Sequence, residues 1–86
     1  MIKIDILTAP GCSHCEQALR AIQRVIERLR NKVSDIEVEV IDITRRPEVA
    51  VKYMVMSTPA VAVDGKLAFV GVPKEDALIK KLLKER

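Results

Sequence analysis

Cys12 and Cys15 are the only two cysteines in a chain of 86 residues, separated by Ser13 and His14. Two thiols at this spacing can cycle between a dithiol and an intramolecular disulfide, or they can hold a soft metal ion. The pair falls where a strand-like segment stops and an amphipathic helical pattern starts. With Cys12 at the helix N-cap, Cys15 falls at N3, one turn in on the same side. The N-cap side chain faces the unpaired amides of N2 and N3, here His14 and Cys15, and the positive end of the helix. Both favour a thiolate, the nucleophilic form of cysteine. Cys12 is thus expected to attack a substrate disulfide. Cys15, deeper in the helix, is expected to resolve the mixed disulfide and release the reduced substrate.

His14 is the only histidine. An imidazole beside Cys12 would stabilise the thiolate and make the disulfide more oxidising; the bland alternative is a surface residue near a helix start. A protease-like Cys–His pair is not expected, because a residue two positions along the same turn is poorly placed to share one substrate carbonyl. A closed zinc site needs four ligands, and the single adjacent histidine is sterically awkward. A copper or zinc carrier using these cysteines would therefore have to share its metal with a partner, and no metal site is assigned.

The elements that must position this pair are legible in the patterning. Residues 2–7 alternate Ile2, Ile4 and Ile6 with Lys3 and Asp5, predicting a strand, and Thr8-Ala9-Pro10-Gly11 breaks it. From Cys15 to Leu29, Ala18, Leu19, Ile22, Val25, Ile26 and Leu29 recur at helical spacing. Residues 36–40 alternate again and run on to Ile43 as a second strand. A short helix is expected over residues 48–54 behind Pro47. Residues 60–63 and 66–70 are β-rich runs joined by Asp64-Gly65, a strong hairpin signal. Pro73 opens a last helix from Lys74 to the C-terminus, with Leu78, Ile79, Leu82 and Leu83 on one face. The order β-α-β-α-β-β-α predicts an α/β fold, a mixed four-stranded sheet covered by helices on both faces, in a single domain over residues 1–86. With one Phe, one Tyr and no Trp, its core must be aliphatic.

Composition excludes several classes. Hydrophobic residues form 49% of the chain and charged residues 31%, a globular rather than a disordered balance. The longest uncharged run, residues 53–63, is too short for the ~20 apolar residues of a membrane span and contains Pro59. The N-terminus lacks the apolar stretch of a secretory signal, so a cytoplasmic address is expected. Arg20, Arg24 and Arg28 form a stripe on the first helix, read as a solvated face rather than a nucleic-acid surface, since acidic residues are interleaved and no aromatics are placed for stacking. Tyr53, Met54 and Met56 read as core filler, the alternative being a lining for a substrate groove.

The motifs Pro10-Gly11-Cys12-Ser13-His14-Cys15, Ser57-Thr58-Pro59-Ala60 and Phe69-Val70-Gly71-Val72-Pro73 together resemble the thioredoxin-fold family, in particular its small, glutaredoxin-sized archaeal and bacterial thioredoxins. The resemblance spans essentially the whole chain. It implies a thioredoxin-like fold and a thiol–disulfide oxidoreductase that reduces protein disulfides, with no bound cofactor beyond its Cys12–Cys15 redox centre. It also implies a cis peptide at Pro59, a substrate-binding role for Gly11, Thr58, Pro59 and Gly71, and a monomer reduced by a flavoprotein reductase or by glutathione. Larger thioredoxins have a Trp where Gly11 stands, Gly-Pro in place of Ser13-His14, and a buried acid where Ile6 stands; Asp5 alternates to the other face and is given no proton-relay role. The Gly-Gly of glutaredoxins is broken by Gly71-Val72. The His14 position is similar to that of disulfide isomerases and oxidases, an alternative direction for the same chemistry.

Overall fold

In a computed structural model describing residues 1–33 and 35–85, Ile2–Thr8 forms β1, Cys15–Leu29 α1, Ile36–Asp42 β2, Pro47–Tyr53 α2, Ala60–Val63 β3, Lys66–Val70 β4 and Glu75–Glu85 α3. The expected element order therefore holds. The last residue of the expected third helix, Arg86, lies outside the described residues. The strands form one four-stranded sheet in the order β2-β1-β3-β4. β1 pairs in parallel with β2, from Ile2↔Ile36 to Thr8↔Asp42, and antiparallel with β3. The β3–β4 hairpin turns on Asp64 and Gly65, whose φ values of 50° and 82° are both positive, as a type I′ turn requires.

The period-two alternation of β1 divides the core between the two faces of the sheet. Ile2, Ile4 and Ile6 pack with Ile22 and Val25 of α1 and Leu78 and Leu82 of α3. Leu7, on the opposite face, packs with Ile41, Val49, Tyr53 and Val55, which brings in α2. Helices thus cover both faces. Arg24 Nε donates to Glu75 Oε2 at 2.9 Å and clips α1 to the start of α3, while Arg20 pairs with Glu16 at 2.7 Å. With Arg28 3.9 Å from Glu75, the arginine stripe is engaged in ion pairs along an exposed helix face.

α2 starts on Pro47 and ends one residue earlier than expected, because Met54 turns into the left-handed region with φ 54° and ψ 44°. The Val55 amide then donates back to Ala50 at 3.0 Å, closing the helix without a glycine. None of the described helices is long and apolar enough to cross a membrane.

Candidate active site

The chain turns as soon as β1 ends. The Cys12 amide donates to the Ala9 carbonyl at 3.2 Å, with Pro10 and then Gly11 at the centre of the turn. Gly11 has φ 79°. Proline followed by a residue with positive φ is the order a type II turn favours, so glycine at position 11 has a backbone reason.

This turn corrects the expected capping. The first helical hydrogen bond runs from the Ala18 amide to the His14 carbonyl at 3.0 Å, which makes His14 the N-cap and Cys15 the first helical residue. Cys12 is not the N-cap and Cys15 is not N3. The cause is that the Cys12 amide closes the Ala9–Cys12 turn, so Ser13 and His14 are needed to swing the chain into the helix axis. Cys12 accordingly stands just before the helix, off its positive end. The two cysteines still meet in a disulfide with their Cα atoms 5.5 Å apart. Cys12 is half-buried and Cys15 is buried at 9% exposure, so Cys12 is the more open residue of the pair. His14 is exposed, its side chain caps no amide, and its Nδ1 lies 2.9 Å from Gln17 Oε1.

Strand pairing brings the other motifs to the same sheet edge. Leu7 pairs with Ala60, so Pro59 lies where β1 enters the cysteine turn. Ala60 pairs with Val70, and the Gly71 amide donates to the Pro59 carbonyl at 2.8 Å. The Thr58–Pro59 peptide is cis, as the family resemblance implies. Gly71 has φ 95°, and apart from its own atoms and its two chain neighbours no heavy atom lies within 4 Å of where a Cβ would stand, so the space before it is open. Gly11, Cys12, Thr58, Pro59 and Gly71 thus come from three strand ends that converge.

Two features were not legible in the sequence. Asp5 faces α2, where the Tyr53 hydroxyl donates to Oδ2 at 3.0 Å. Its Oδ1 is buried and makes no hydrogen bond, with Lys3 Nζ 3.7 Å away. Burial first, and then the bond to Asp5, push the Tyr53 hydroxyl above the ordinary tyrosine pKa of 10.0. The partners are 48 residues apart, so only the strand register could reveal them. The second feature is a correction. Tyr53 is core, but Met54 and Met56 are 89% and 99% exposed rather than core filler, because α2 ends at Tyr53 and Met54 turns the chain outward. Ile6 is fully buried among aliphatic side chains. Among the described residues, no three His, Cys, Asp or Glu side chains gather to hold a metal ion.

A cysteine pair closed into a disulfide after the first strand, on a β2-β1-β3-β4 sheet covered on both faces, defines a thiol–disulfide oxidoreductase of thioredoxin-like fold. Residues 2–84 match the family model described as thioredoxin domain, and the chain belongs to the thioredoxin family. A thioredoxin of Methanocaldococcus jannaschii is 34% identical over 84 residues, covering 96% of this chain and 94% of the relative. A probable thioredoxin of Methanothermobacter marburgensis is 33% identical over 85 residues, covering 99% of this chain and 96% of the other. Among solved structures, a protein disulfide oxidoreductase from Aeropyrum pernix superposes with a TM-score of 0.71 at 31% identity, over 93% of this chain but only 35% of that longer one. Thioredoxin from Fasciola hepatica, with a TM-score of 0.73 and 20% identity over 99% of this chain and 81% of that one, shares the fold. The chemistry of the chain is a dithiol–disulfide cycle at Cys12-Ser13-His14-Cys15.

Proposed function

We propose that residues 1–86 form one thioredoxin-like domain that works as a monomeric cytoplasmic electron carrier, reducing disulfides of other proteins and reloaded by a flavoprotein thioredoxin reductase. In the reduced protein the Cys12 thiolate attacks one sulfur of the target disulfide. A mixed disulfide forms and the first target thiolate leaves. The Cys15 thiolate then attacks Cys12 Sγ, the second target thiolate leaves, and the Cys12–Cys15 disulfide closes. Two electrons pass to the target, which takes up two protons from solvent at neutral pH. The electrons are stored in the thiols themselves, so no bound cofactor is required.

The observation that carries this reading is the asymmetry of the pair: Cys12 half-buried before the helix, Cys15 buried in it. A sulfur that must meet a bulky protein disulfide needs the open position, and a resolving sulfur needs only to reach its neighbour. The residues around them support the substrate assignment. The backbone of Thr58, ahead of Pro59, offers an extended partner segment a strand-like pairing site, and Gly11 and Gly71 keep side chains out of its path. His14 is assigned the tuning role: a ring N–H two residues from Cys12 favours the thiolate, and His14→Ala is expected to make the dithiol more reducing.

The test is to trap the intermediate and measure the potential. Cys15→Ser should accumulate a mixed disulfide through Cys12 with a protein disulfide such as insulin, and Cys12→Ser should abolish turnover. Equilibration in dithiol buffers should give a potential near the ~−270 mV of thioredoxins, whereas ~−180 mV would reassign the protein as an isomerase-like oxidant. Reloading by glutathione alone, without a flavoprotein, would replace the reductase with a glutaredoxin cycle.

A further inference from the structure

Pairing within the β3–β4 hairpin slips by one residue. Val61 pairs with Phe69 and Ala62 with Leu67, so Ala68 is a bulge on β4 with no residue opposite. Strict alternation would send Ala68 and Phe69 to opposite faces of the sheet. With the bulge, both pack against the core beneath α1 and α3. β4 is an edge strand, so the bulge re-aims side chains at an open margin of the sheet.

α3 lies over the same core, with Leu78 and Leu82 fully buried and Glu75 clipped to α1 by Arg24. Its flank toward β4 carries Ala77, Lys80, Leu83 and Lys84, which with Ala68 and Phe69 line an open groove of about 680 Å³. Ala68 and Ala77 leave room where larger side chains would close strand against helix. Phe69 and Leu83, both half-buried, add apolar wall. A mostly apolar hollow of roughly 300–1,000 Å³ with a few polar groups is the ordinary form of a small-molecule site.

The rim supplies charge of one sign. Lys80 and Lys84 are exposed, one turn apart on α3, and have no ion-pair partner among the described residues. Arg20 and Arg24 on α1, by contrast, are each held by a glutamate. No carboxylate among the described residues lines the groove. The helix dipole favours lysines in the last turns of α3, but it gives no reason for an apolar hollow beside them. Lysine lays its methylene stem along apolar surface and keeps its ammonium in water, so these two can close over a chain and still meet an anion.

We propose that the α3–β4 groove binds a single-chain anionic amphiphile, with its hydrocarbon chain along Phe69, Leu83 and the two alanines and its acid head at Lys80 and Lys84. A neutral apolar molecule would leave the lysines unused, and a small anion would leave the apolar wall in water. The groove contains neither cysteine, so the proposal stands apart from the redox cycle.

The test is calorimetric titration of the oxidised full chain with laurate, kept below its micelle concentration. One saturable site is expected. Butyrate, which lacks the chain, and dodecyltrimethylammonium, which reverses the charge, should each bind at least about tenfold more weakly. The ring resonances of Phe69, the only phenylalanine, should shift during the titration. Lys80→Gln/Lys84→Gln should weaken laurate about tenfold, while Lys52→Gln/Lys74→Gln, which removes the same charge outside the groove, should stay within about twofold of wild type. Ala77→Leu, a good helix former that fills the hollow, should also weaken laurate about tenfold. Absence of a saturable laurate site, or equal binding of dodecyltrimethylammonium, would overturn the proposal. So would laurate binding that neither the lysine pair nor Ala77→Leu alters. Co-sedimentation with anionic phospholipid vesicles but no binding of monomeric laurate would reassign the face to a membrane surface. A wild-type dimer that Ala77→Leu abolishes would reassign it to a second copy of the chain.

Discussion

The two faces of the sheet are built differently. Under α1 and α3 the fully buried core is aliphatic, with Ile4, Ile6, Ile22, Val25, Leu78 and Leu82, and Phe69 packs against it half-buried. Under α2 the core is thinner, holds two alanines, and admits a tyrosine hydroxyl and a carboxylate. The left-handed Met54 and the exposed methionines belong to this second face as well. Stability is thus concentrated where two helices cover the sheet. The face with one short helix is left to present the loop that runs into Pro59. Features that would weaken a core are tolerated where the core is least needed.

Equal truncations on the two faces would test this division most severely. Ile22→Ala, fully buried between α1 and the sheet, should lower the unfolding free energy by about 3–4 kcal/mol, because rigid neighbours on every side prevent the cavity from collapsing. Ile41→Ala, at 3% exposure on edge strand β2, should cost about 2–3 kcal/mol, since a single short helix can settle into the space. Urea unfolding of the two variants measures the difference. Equal losses would mean that the second face is packed as rigidly as the first.

The polar pair sharpens the comparison. Tyr53→Phe deletes the donor to Asp5 Oδ2 and leaves a carboxylate whose other oxygen already lacks a hydrogen bond. The expected loss is about 1–2 kcal/mol, because an unsatisfied buried acceptor costs more than a bond contributes. Replacing both partners, as Asp5→Val/Tyr53→Phe, should recover most of it, since valine suits a strand and no polar atom is stranded. The pair also has a pH signature. Tyr53 titrates above the ordinary 10.0 in the folded chain, by burial first and then by its bond to Asp5. Between the unfolded and folded values the folded state holds the extra proton, so the Tyr53 contribution is intact below pH 10.0 and is lost as pH rises through the folded value. Lys3, raised by its hydrogen bond to Glu39, acts in the same direction. Tyr53→Phe should therefore make the alkaline decline of the melting temperature shallower without removing it.

On the acid side the signs reverse and the effects are smaller. Glu39 is lowered mainly by its bond to Lys3, and Asp42 by the side chain of Thr44. Both groups favour the folded state above their ordinary values of 4.5 and 3.8 and lose that contribution as pH falls through the lowered folded values. Both are on the surface, where salt screens charge pairs. Raising the ionic strength should flatten the Glu39 contribution, while the neutral hydroxyl beside Asp42 keeps its effect.

How far the sequence carried depends on the range of the interaction that decides each feature. Asp64-Gly65 requires its turn locally, and the apolar spacing of Ala18, Ile22, Val25 and Leu29 requires its helix face, so both were legible. The cysteine spacing and the Thr-Pro motif were legible for the same reason. The cap falls two residues later than the sequence predicts, because the Pro10-Gly11 turn closed by the Cys12 amide is followed by Ser13 and His14 before the first helical hydrogen bond forms. The Tyr53–Asp5 bond depends on register between distant segments. The exposure of Met54 and Met56 is not legible in the sequence, because apolar character alone says nothing about where a helix without a terminal glycine stops.

Met54 gives the smallest prediction, because it turns on the conformation of a single residue. With φ 54° and ψ 44°, it occupies a region where a side chain crowds its own backbone and glycine does not. Met54→Gly should relieve that crowding and, after the greater freedom glycine brings to the unfolded chain, stabilise the fold by about 0.5–1 kcal/mol. A melting temperature above wild type would bear this out, and an unchanged or lower one would mean that Met54 is not crowded in its left-handed turn.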